Sequence, residues 1–226
     1  MTKKFLIASI SSASALLLGF LVVLCVVLSN GTAPLGCDTA VQQWAYDVRG
    51  EKGGLCYWFF RIITEFGHTY FIAILALTIG IIFRFKAEFW FFGATEAVAW
   101  GTNELVKICV QRIRPDEAMQ WMGESSFSFP SGHSLNVTCM LIFVIFLVVF
   151  SPKLKQWVKW LISIVCTCLI ALVPISRLIL GMHYLTDVIA GVLFGAFFAV
   201  MGFLVLCLYK HLKQNKQAQQ ASQSTT

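Results

Sequence analysis

The chain has 226 residues, of which 58% are hydrophobic and only 12% are charged, and its formal net charge is +6. A soluble globular domain carries about 25% charged residues, so this composition excludes an ordinary water-soluble domain and indicates that a bilayer is the solvent. The positive residues lie between apolar segments rather than in one patch. That distribution is typical of membrane topology, and we expect no nucleic-acid partner.

Six apolar segments are long enough to cross a membrane, because about 20 helical residues span the hydrocarbon core. We therefore predict an all-α integral membrane bundle of six transmembrane helices. The predicted spans are residues 5–29, 67–85, 89–113, 133–150, 157–175 and 184–209. We expect one membrane domain over residues 1–211 and a disordered cytoplasmic tail over residues 212–226, which is rich in Gln, Ser and Thr.

The first apolar segment begins after Lys3 and Lys4, and small residues at positions 31–33 follow it, as in a secretory signal peptide. Its apolar stretch exceeds the roughly 7–15 residues of a signal core, so we expect a retained helix. Six spans put both termini on one side, which then carries ten Lys and Arg residues against seven on the other. The positive-inside rule makes that side cytoplasmic. We expect a multi-pass protein of the cell membrane, and specifically of a bacterial plasma membrane.

The long outer connection spans residues 30–66. Apolar residues with helical spacing predict a short interfacial helix over residues 41–48, and a second apolar run at residues 59–63 could lengthen the second span outwards. Cys37 and Cys56 both lie in this connection. They could form a disulfide, since an outer compartment permits one.

The third apolar segment ends in a motif with two cations, Lys107 and Arg114, followed by Pro115. Seven helical residues turn through about 700° and rise about 10 Å, so we expect both side chains on one face near the helix end. Proline disfavours helix at the residue before it, so we expect the helix to stop at Arg114. Snorkelling anchors in the headgroup region would produce the same pattern.

A second motif, Pro130-Ser131-Gly132-His133, stands directly before the fourth apolar segment. Ser131 is a residue type that caps helices, Gly132 lets a ligand approach the backbone closely, and the free N–H groups of a helix start favour an anion. A capped turn explains the first three residues but not His133. We expect the His133 side chain at the mouth of a site.

A third motif, Ser176-Arg177 with His183 and Asp187, lies around the turn between the last two segments. On a helix, residues four apart share a face. The Asp187 carboxylate would accept the proton of one imidazole nitrogen and leave the lone pair of the other free to attack. A capping aspartate beside an interfacial histidine is the alternative interpretation.

The predicted topology brings these three motifs to one, non-cytoplasmic, face of the membrane. Lys107, Arg114 and Arg177 suit the three non-bridging oxygens of a phosphoryl group. Carboxylates suited to a metal cluster are missing from the motifs, so we expect neither a catalytic metal nor another cofactor.

These residues match a known pattern. The chain resembles the phosphatidic-acid phosphatase type 2 superfamily, whose motifs KxxxxxxRP, PSGH and SRxxxxxHxxxD appear here in order and without a substitution at residues 107–115, 130–133 and 176–187. The motifs cover a small part of the chain, and the six-span layout extends the resemblance to about residue 209. The resemblance implies a membrane lipid phosphatase that acts through a phosphohistidine.

The resemblance also implies a role for each motif residue. His183 is the nucleophile, Asp187 orients it, and His133 is the general acid. Phosphate binding falls to the remaining positions: Lys107, Arg114, Arg177, Ser131, Gly132 and Ser176. Family members that dephosphorylate phosphatidylglycerophosphate or undecaprenyl pyrophosphate fit this short chain best, with phosphatidic acid and lipid A phosphatases as alternatives.

A different class stays open as a rival. In an anion transporter the three cations would bind the anion, while Glu96 and Glu104 in the third span would relay protons. Transporters often show internal repeats with a site near the bilayer midplane, whereas these cations lie near the rim and no repeat is evident. A catalytically dead scaffold is disfavoured because both histidines and Asp187 are intact. The partners implied are a lipid phosphate and membrane lipids, and the sequence leaves the oligomeric state open.

Overall fold

The computed structural model describes residues 2–82, 86–124 and 126–223, and this part of the chain is all-helical, as predicted. The helices are α1 (Lys3–Ser29), α2 (Gly36–Val48), α3 (Leu55–Glu65), α4 (Thr69–Ile82), α5 (Ala87–Val110), α6 (Gly132–Val149), α7 (Gln156–Ile179) and α8 (Leu185–Gln223), with a 3-10 turn at Glu117–Met119 between α5 and α6.

Four helices are long and apolar enough to cross a membrane, namely α1, α6, α7 and α8. Helices α3 and α4 meet at a bend of 49° and provide a fifth crossing if the pair forms one broken span. Helix α5 has 24 residues, which is long enough, but carries several charged side chains, including Glu96 and Lys107. The protein is therefore a multi-pass membrane protein, and six crossings stay a prediction. The predicted end of the second span at residues 83–85 lies outside the described residues.

Helices α6 and α8 form the centre of the bundle, and α1, α5 and α7 pack around them. Two glycines allow this contact: a Cβ on Gly191 would lie 2.5 Å from the carbonyl oxygen of Ser131, and one on Gly195 would lie 2.4 Å from that of Leu135. Small residues spaced by four let helix backbones approach closely in membranes. As a result the Ser131 N–H reaches the Asp187 carbonyl at 3.0 Å, so the second and third motifs share a backbone hydrogen bond.

The connection between α1 and α4 follows the prediction in part. Helix α2 is the expected short helix, whereas α3 is a separate element bent away from α4 rather than a straight extension of it. Cys37 and Cys56 are both free thiols, so the possible disulfide is not formed.

Several helix ends differ from the sequence-based bounds. Helix α5 ends at Val110 because Gln111 adopts a left-handed conformation with φ of 51°. The expectation that Lys107 and Arg114 share one helix face was therefore wrong, since Arg114 lies beyond the helix. Helix α7 continues through Arg177.

Helix α8 runs on to Gln223, so residues 212–223 are helical where a disordered tail was expected. Lys, Gln and Ala are good helix formers, and extending an existing helix avoids the cost of nucleation. The division of the chain at residue 211 stays a prediction.

Candidate active site

The three motifs meet at one end of the bundle, where α5 and α7 end and α6 and α8 begin. The first and second motifs meet at Lys107 and Gly132. These residues are so close that a Cβ added to Gly132 would lie 3.7 Å from Lys107 Nζ. The first and third meet where Arg114 Nη1 lies 3.2 Å from His183 Nε2. The convergence inferred from topology is thus present even though Arg114 reaches the site from a loop.

His183 lies in the turn before α8 and is only 3% exposed. Its Nε2 faces Arg114, while its Nδ1 lies 3.4 Å from Ser128 Oγ and 3.6 Å from Asp187 Oδ2. Burial and the cations of Arg114 and Arg177 lower the pKa of His183 well below its ordinary value. The imidazole is therefore neutral near pH 7. A proton on Nδ1, beside Asp187, directs the Nε2 lone pair toward Arg114.

Asp187 is fully buried in the first turn of α8. Its Oδ2 accepts hydrogen bonds from the Tyr184 backbone N–H at 2.9 Å and from Ser128 Oγ at 2.5 Å, and its Oδ1 accepts one from Arg112 Nη1 at 2.5 Å. Asp187 therefore combines the two roles that the sequence left as alternatives: it caps the helix, and its carboxylate lies beside His183.

Arg112 is a residue of this site that sequence reasoning missed. It is fully buried and pairs with Asp187 and with Asp38 of α2, whose Oδ2 lies 2.7 Å from Arg112 Nη2. Its position falls between the fixed residues of the first motif, and Asp38 lies 74 residues earlier. The sequence carried one signal: Arg112 is charged, and a charged side chain must be paired if it is buried. The sequence did not show which residue is the partner.

Two motif arginines share a second missed residue, Glu124. Its Oε2 lies 3.2 Å from Arg114 Nη1 and 3.0 Å from Arg177 Nη2, and Arg177 also donates to Thr64 Oγ1 at 2.9 Å. Burial by itself would raise the pKa of Glu124, but Arg114 and Arg177 outweigh it and lower the pKa. An ionised carboxylate thus lies between the two arginines in a position that an anionic ligand would take.

The remaining cations are held by local contacts. Arg114 donates from Nε to the Ser126 carbonyl at 2.6 Å and from Nη1 to the Met182 carbonyl at 2.8 Å. Lys107 forms an ion pair with Glu104 at 3.2 Å. These bonds fix Arg114 in the loop and orient its remaining face toward Glu124 and His183.

His133 lies in the first turn of α6, and its ring centre is 5.5 Å from that of His68, with the planes nearly perpendicular. It borders a cavity of about 190 Å³ that reaches Lys107 and Glu124. The cavity is lined by Gly67, His68, Thr69, Trp100, Glu104, Lys107, Glu124, Gly132, His133 and Asn136. Glu124 lines this cavity and pairs with Arg114 and Arg177, whereas His183 is not one of the lining residues.

The two motif serines have structural partners. Ser131 caps α6, since its Oγ accepts from the Ser134 N–H at 3.5 Å and from Ser134 Oγ at 2.9 Å. Ser176 Oγ donates to the Val173 carbonyl at 2.6 Å, within its own helix. The expected cap is therefore present, and the Ser176 hydroxyl forms its hydrogen bond within its own helix.

Comparison with known proteins agrees with this geometry. The sequence profile of the PAP2 superfamily matches residues 88–213, which is more than half of the chain. Phosphatidylglycerophosphatase B of Bacillus subtilis is 34% identical over 199 residues, covering 84% of this chain and 93% of that protein. Lipid A 1-phosphatase of Rhizobium johnstonii is 34% identical over 110 residues, covering 45% of this chain and 41% of that protein.

Two crystal structures share the fold. A transmembrane PAP2-type phosphatidylglycerolphosphate phosphatase from Bacillus subtilis aligns with a TM-score of 0.72 and 30% identity, covering 85% of this chain and 95% of that one. Aquifex aeolicus LpxE aligns with a TM-score of 0.54 and 20% identity over 75% of this chain and 96% of that one. The helical bundle and its motifs define a multi-pass membrane phosphatase. The chain belongs to the PAP2 superfamily, as its motifs indicated.

Proposed function

We propose that this membrane lipid phosphatase hydrolyses a lipid phosphate or lipid pyrophosphate through a phosphohistidine at His183, with phosphatidylglycerophosphate as its first substrate. The observation that carries the proposal is the buried His183 imidazole, held between Asp187 and Arg114, with Arg114 and Arg177 sharing one carboxylate beside it. The substrate choice is supported by the similarity to phosphatidylglycerophosphatase B, which extends over nearly the whole length of that relative.

Binding begins with an exchange of anions. The substrate phosphate takes the place of the Glu124 carboxylate between Arg114 and Arg177, and Lys107 neutralises a further oxygen from the cavity side. Cations fixed in advance stabilise charge on a transferring phosphoryl group without reorganising during the reaction. The backbone at Gly132 approaches the phosphate closely because no side chain stands there. Ser131 contributes as the cap that orients the start of α6, and Ser176 would bind phosphate only after turning from Val173.

In the first chemical step the Nε2 lone pair of His183 attacks phosphorus. The bond between phosphorus and the lipid oxygen breaks, and His133, which takes up its proton in the substrate complex beside the anionic phosphate, gives that proton to the leaving oxygen. His183 now carries a positive charge with its Nδ1 proton facing Asp187. In the second step His133 takes a proton from water, the water oxygen attacks phosphorus, and the P–N bond breaks. Inorganic phosphate leaves and His183 is again neutral.

The lipid is placed with its headgroup in the cavity and its acyl chains in the bilayer. Trp100, which lines the cavity from α5, is half exposed on the outer surface of the bundle. We place this end of the bundle at the non-cytoplasmic face, with six spans and cytoplasmic termini, in a bacterial plasma membrane. This placement is supported by Lys3 and Lys4 at the start of α1 and by the lysines near the end of α8.

The experiment is inorganic phosphate release by the purified protein in detergent, with EDTA present throughout. The substrates are phosphatidylglycerophosphate, undecaprenyl pyrophosphate and phosphatidic acid. We expect phosphatidylglycerophosphate to be fastest, and His183→Ala to lower kcat by on the order of 10³-fold or more, as loss of a nucleophile does. His211→Ala, at the far end of α8, is the matched control and should leave kcat unchanged.

Other outcomes would redirect the assignment. Faster turnover of undecaprenyl pyrophosphate would change the substrate but keep the mechanism. Loss of activity with EDTA, restored by a divalent metal, would contradict the metal-free mechanism. A folded protein that releases phosphate from none of the lipids would reject hydrolysis of these lipids and direct attention to phosphate transfer or anion transport.

A further inference from the structure

We propose that Asp38, acting through Arg112, is a positioning residue for catalysis: it draws part of the guanidinium charge away from Asp187 and so keeps a net negative charge behind His183. The inference rests on the proposed phosphohistidine mechanism. Asp38 belongs to α2, in the connection between the first two predicted spans, and lies outside all three motifs.

The geometry is a single guanidinium shared by two carboxylates. Arg112 Nη2 lies 2.7 Å from Asp38 Oδ2 and Arg112 Nη1 lies 2.5 Å from Asp187 Oδ1, and all three side chains have zero exposure. Ion pairs removed from water interact much more strongly than exposed ones. Because each carboxylate takes one nitrogen, Asp187 does not form a two-point pair with Arg112, and its Oδ2 stays directed at His183 and Ser128.

Further hydrogen bonds fix the arrangement from both sides. Thr186 donates from its backbone N–H and from Oγ1 to Asp38 Oδ1, both at 2.9 Å, and the Leu35 N–H donates to Asp38 Oδ2 at 3.0 Å. Arg112 donates its other protons to Thr186 Oγ1 at 2.7 Å and to the carbonyl groups of Thr32 and Ala33, both at 3.2 Å. Asp38 thus has a satisfied, rigid environment whose only charged partner among the described residues is Arg112.

Counting charges shows what Asp38 contributes. Two carboxylates and one guanidinium leave this cluster with a net charge of −1, and without Asp38 the net charge would be zero. His183 gains a positive charge as the P–N bond forms, so a net negative charge behind Nδ1 stabilises the transition state more than the ground state.

The other charged groups around His183 make this contribution necessary. They come from every element packed against it and comprise Lys107, Arg114, Glu124, His133, Arg177 and Asp187. The lysine and both arginines oppose a positive imidazole. Glu124 favours it, but in the proposed mechanism this carboxylate leaves when phosphate enters. The Asp187 cluster then supplies the protein's remaining negative charge beside the nucleophile.

The first test is Asp38→Asn in the full-length protein, which keeps the shape and removes the charge. We expect kcat to fall about 10- to 100-fold, with KM changed less than about threefold, since the interaction strengthens only in the transition state. The control is Asp47→Asn, the same substitution at an exposed position of the same helix, where the carboxylate accepts a hydrogen bond from Gln43. Its kcat should equal that of the wild type.

The second test restores the charge by another route. The double variant Asp38→Asn with Arg112→Gln again leaves a net charge of −1, on Asp187 alone. We expect its kcat to exceed that of Asp38→Asn at least about fivefold, a non-additive result that a purely structural role would not give. If Asp38→Asn does not fold, the double variant is compared with the wild type, and a kcat within about tenfold supports the proposal.

Two results would overturn the inference: a kcat of Asp38→Asn within twofold of the wild type, or a folded double variant that is no more active than the single one. When the single variant does not fold, a double variant more than about 100-fold below the wild type overturns it as well. These outcomes differ from failure of the proposed function, in which the wild type itself releases no phosphate or His183→Ala remains active.

Discussion

Two buried arginine clusters lie side by side at this end of the bundle, and they are built differently. Arg112 is fully enclosed between Asp38 and Asp187, carboxylates that belong to helices α2 and α8. Arg114 and Arg177 instead share the carboxylate of Glu124, a loop residue whose side chain is 33% exposed. The first cluster is a permanent part of the fold. In the proposed mechanism the second exchanges its carboxylate for the substrate phosphate, so one kind of ion pair would serve two purposes.

The sharpest way to test this difference is to break the permanent cluster. Arg112→Ala would leave two carboxylates buried without their cation, and removing one partner of a buried ion pair costs about 3–5 kcal/mol. We expect a large loss of folded protein and a lower Tm, measured by size-exclusion chromatography and thermal unfolding in detergent. Arg61→Ala, whose partner Glu65 is exposed to about a third, is the control and should change Tm little. A folded, fully stable Arg112→Ala protein would contradict the structural role.

Breaking the exchangeable cluster should affect activity more than stability. In the proposed mechanism Arg177 neutralises the transferring phosphoryl group, so we expect Arg177→Gln to lower kcat/KM by about 10²- to 10³-fold, as for loss of one preorganised donor. Steady-state phosphate release gives this number, and thermal unfolding gives the stability of the same preparation. A variant that unfolds but keeps its specific activity while folded would reverse the assignment of the two clusters.

Glu124→Gln tests the exchange itself. The amide keeps the size of the side chain but no longer competes as an anion, so we expect inorganic phosphate or vanadate to inhibit about tenfold more tightly, which corresponds to about 1.4 kcal/mol. Inhibition constants measured at several substrate concentrations report the change. Glu51→Gln, in the exposed turn before α3, is the matched control. Unchanged or weaker inhibition in Glu124→Gln would show that this carboxylate does not occupy the phosphate site.

The pH dependence of kcat/KM should show the smallest effect, but it tests the protonation state of His183 most directly. Burial, Arg114 and Arg177 lower the pKa of His183 well below its usual 6.5. The imidazole therefore stays neutral as the pH falls, and it becomes protonated and unreactive only when the pH passes that lowered pKa. We expect a bell-shaped kcat/KM profile whose acid limb from His183 lies below pH 6.5. Glu124 raises the pKa of His183, so Glu124→Gln should move this limb to still lower pH. A wild-type limb above 6.5, or a flat profile from pH 5 to 9, would argue against the mechanism.

The sequence predicted the parts of this site that depend on local pattern. Helix α6 with its Ser131 cap followed from an apolar run after a capping residue, and the meeting of the motifs followed from counting helices. In each case the cause lies within a few residues of the effect, or in the alternation of helix direction.

The missed features depend on partners distant in the chain. Lys107 and Arg114 were expected on one helix face, but Gln111 turns the chain so that Arg112 can enter its buried pair. Asp38 and Glu124 gave no periodic signal, because their importance arises only when α2 and the loop after α5 pack against α8. Such contacts are set by the tertiary fold rather than by spacing.

The sharing of Glu124 by Arg114 and Arg177 also bears on how the protein is made. A newly inserted chain must bring these arginines together at the membrane before any substrate has bound, and buried like charges repel each other strongly. An internal carboxylate supplies the counter-charge from the same polypeptide. The bundle can therefore assemble to completion without phosphate, and the apparatus for catalysis is already in place when the first lipid arrives.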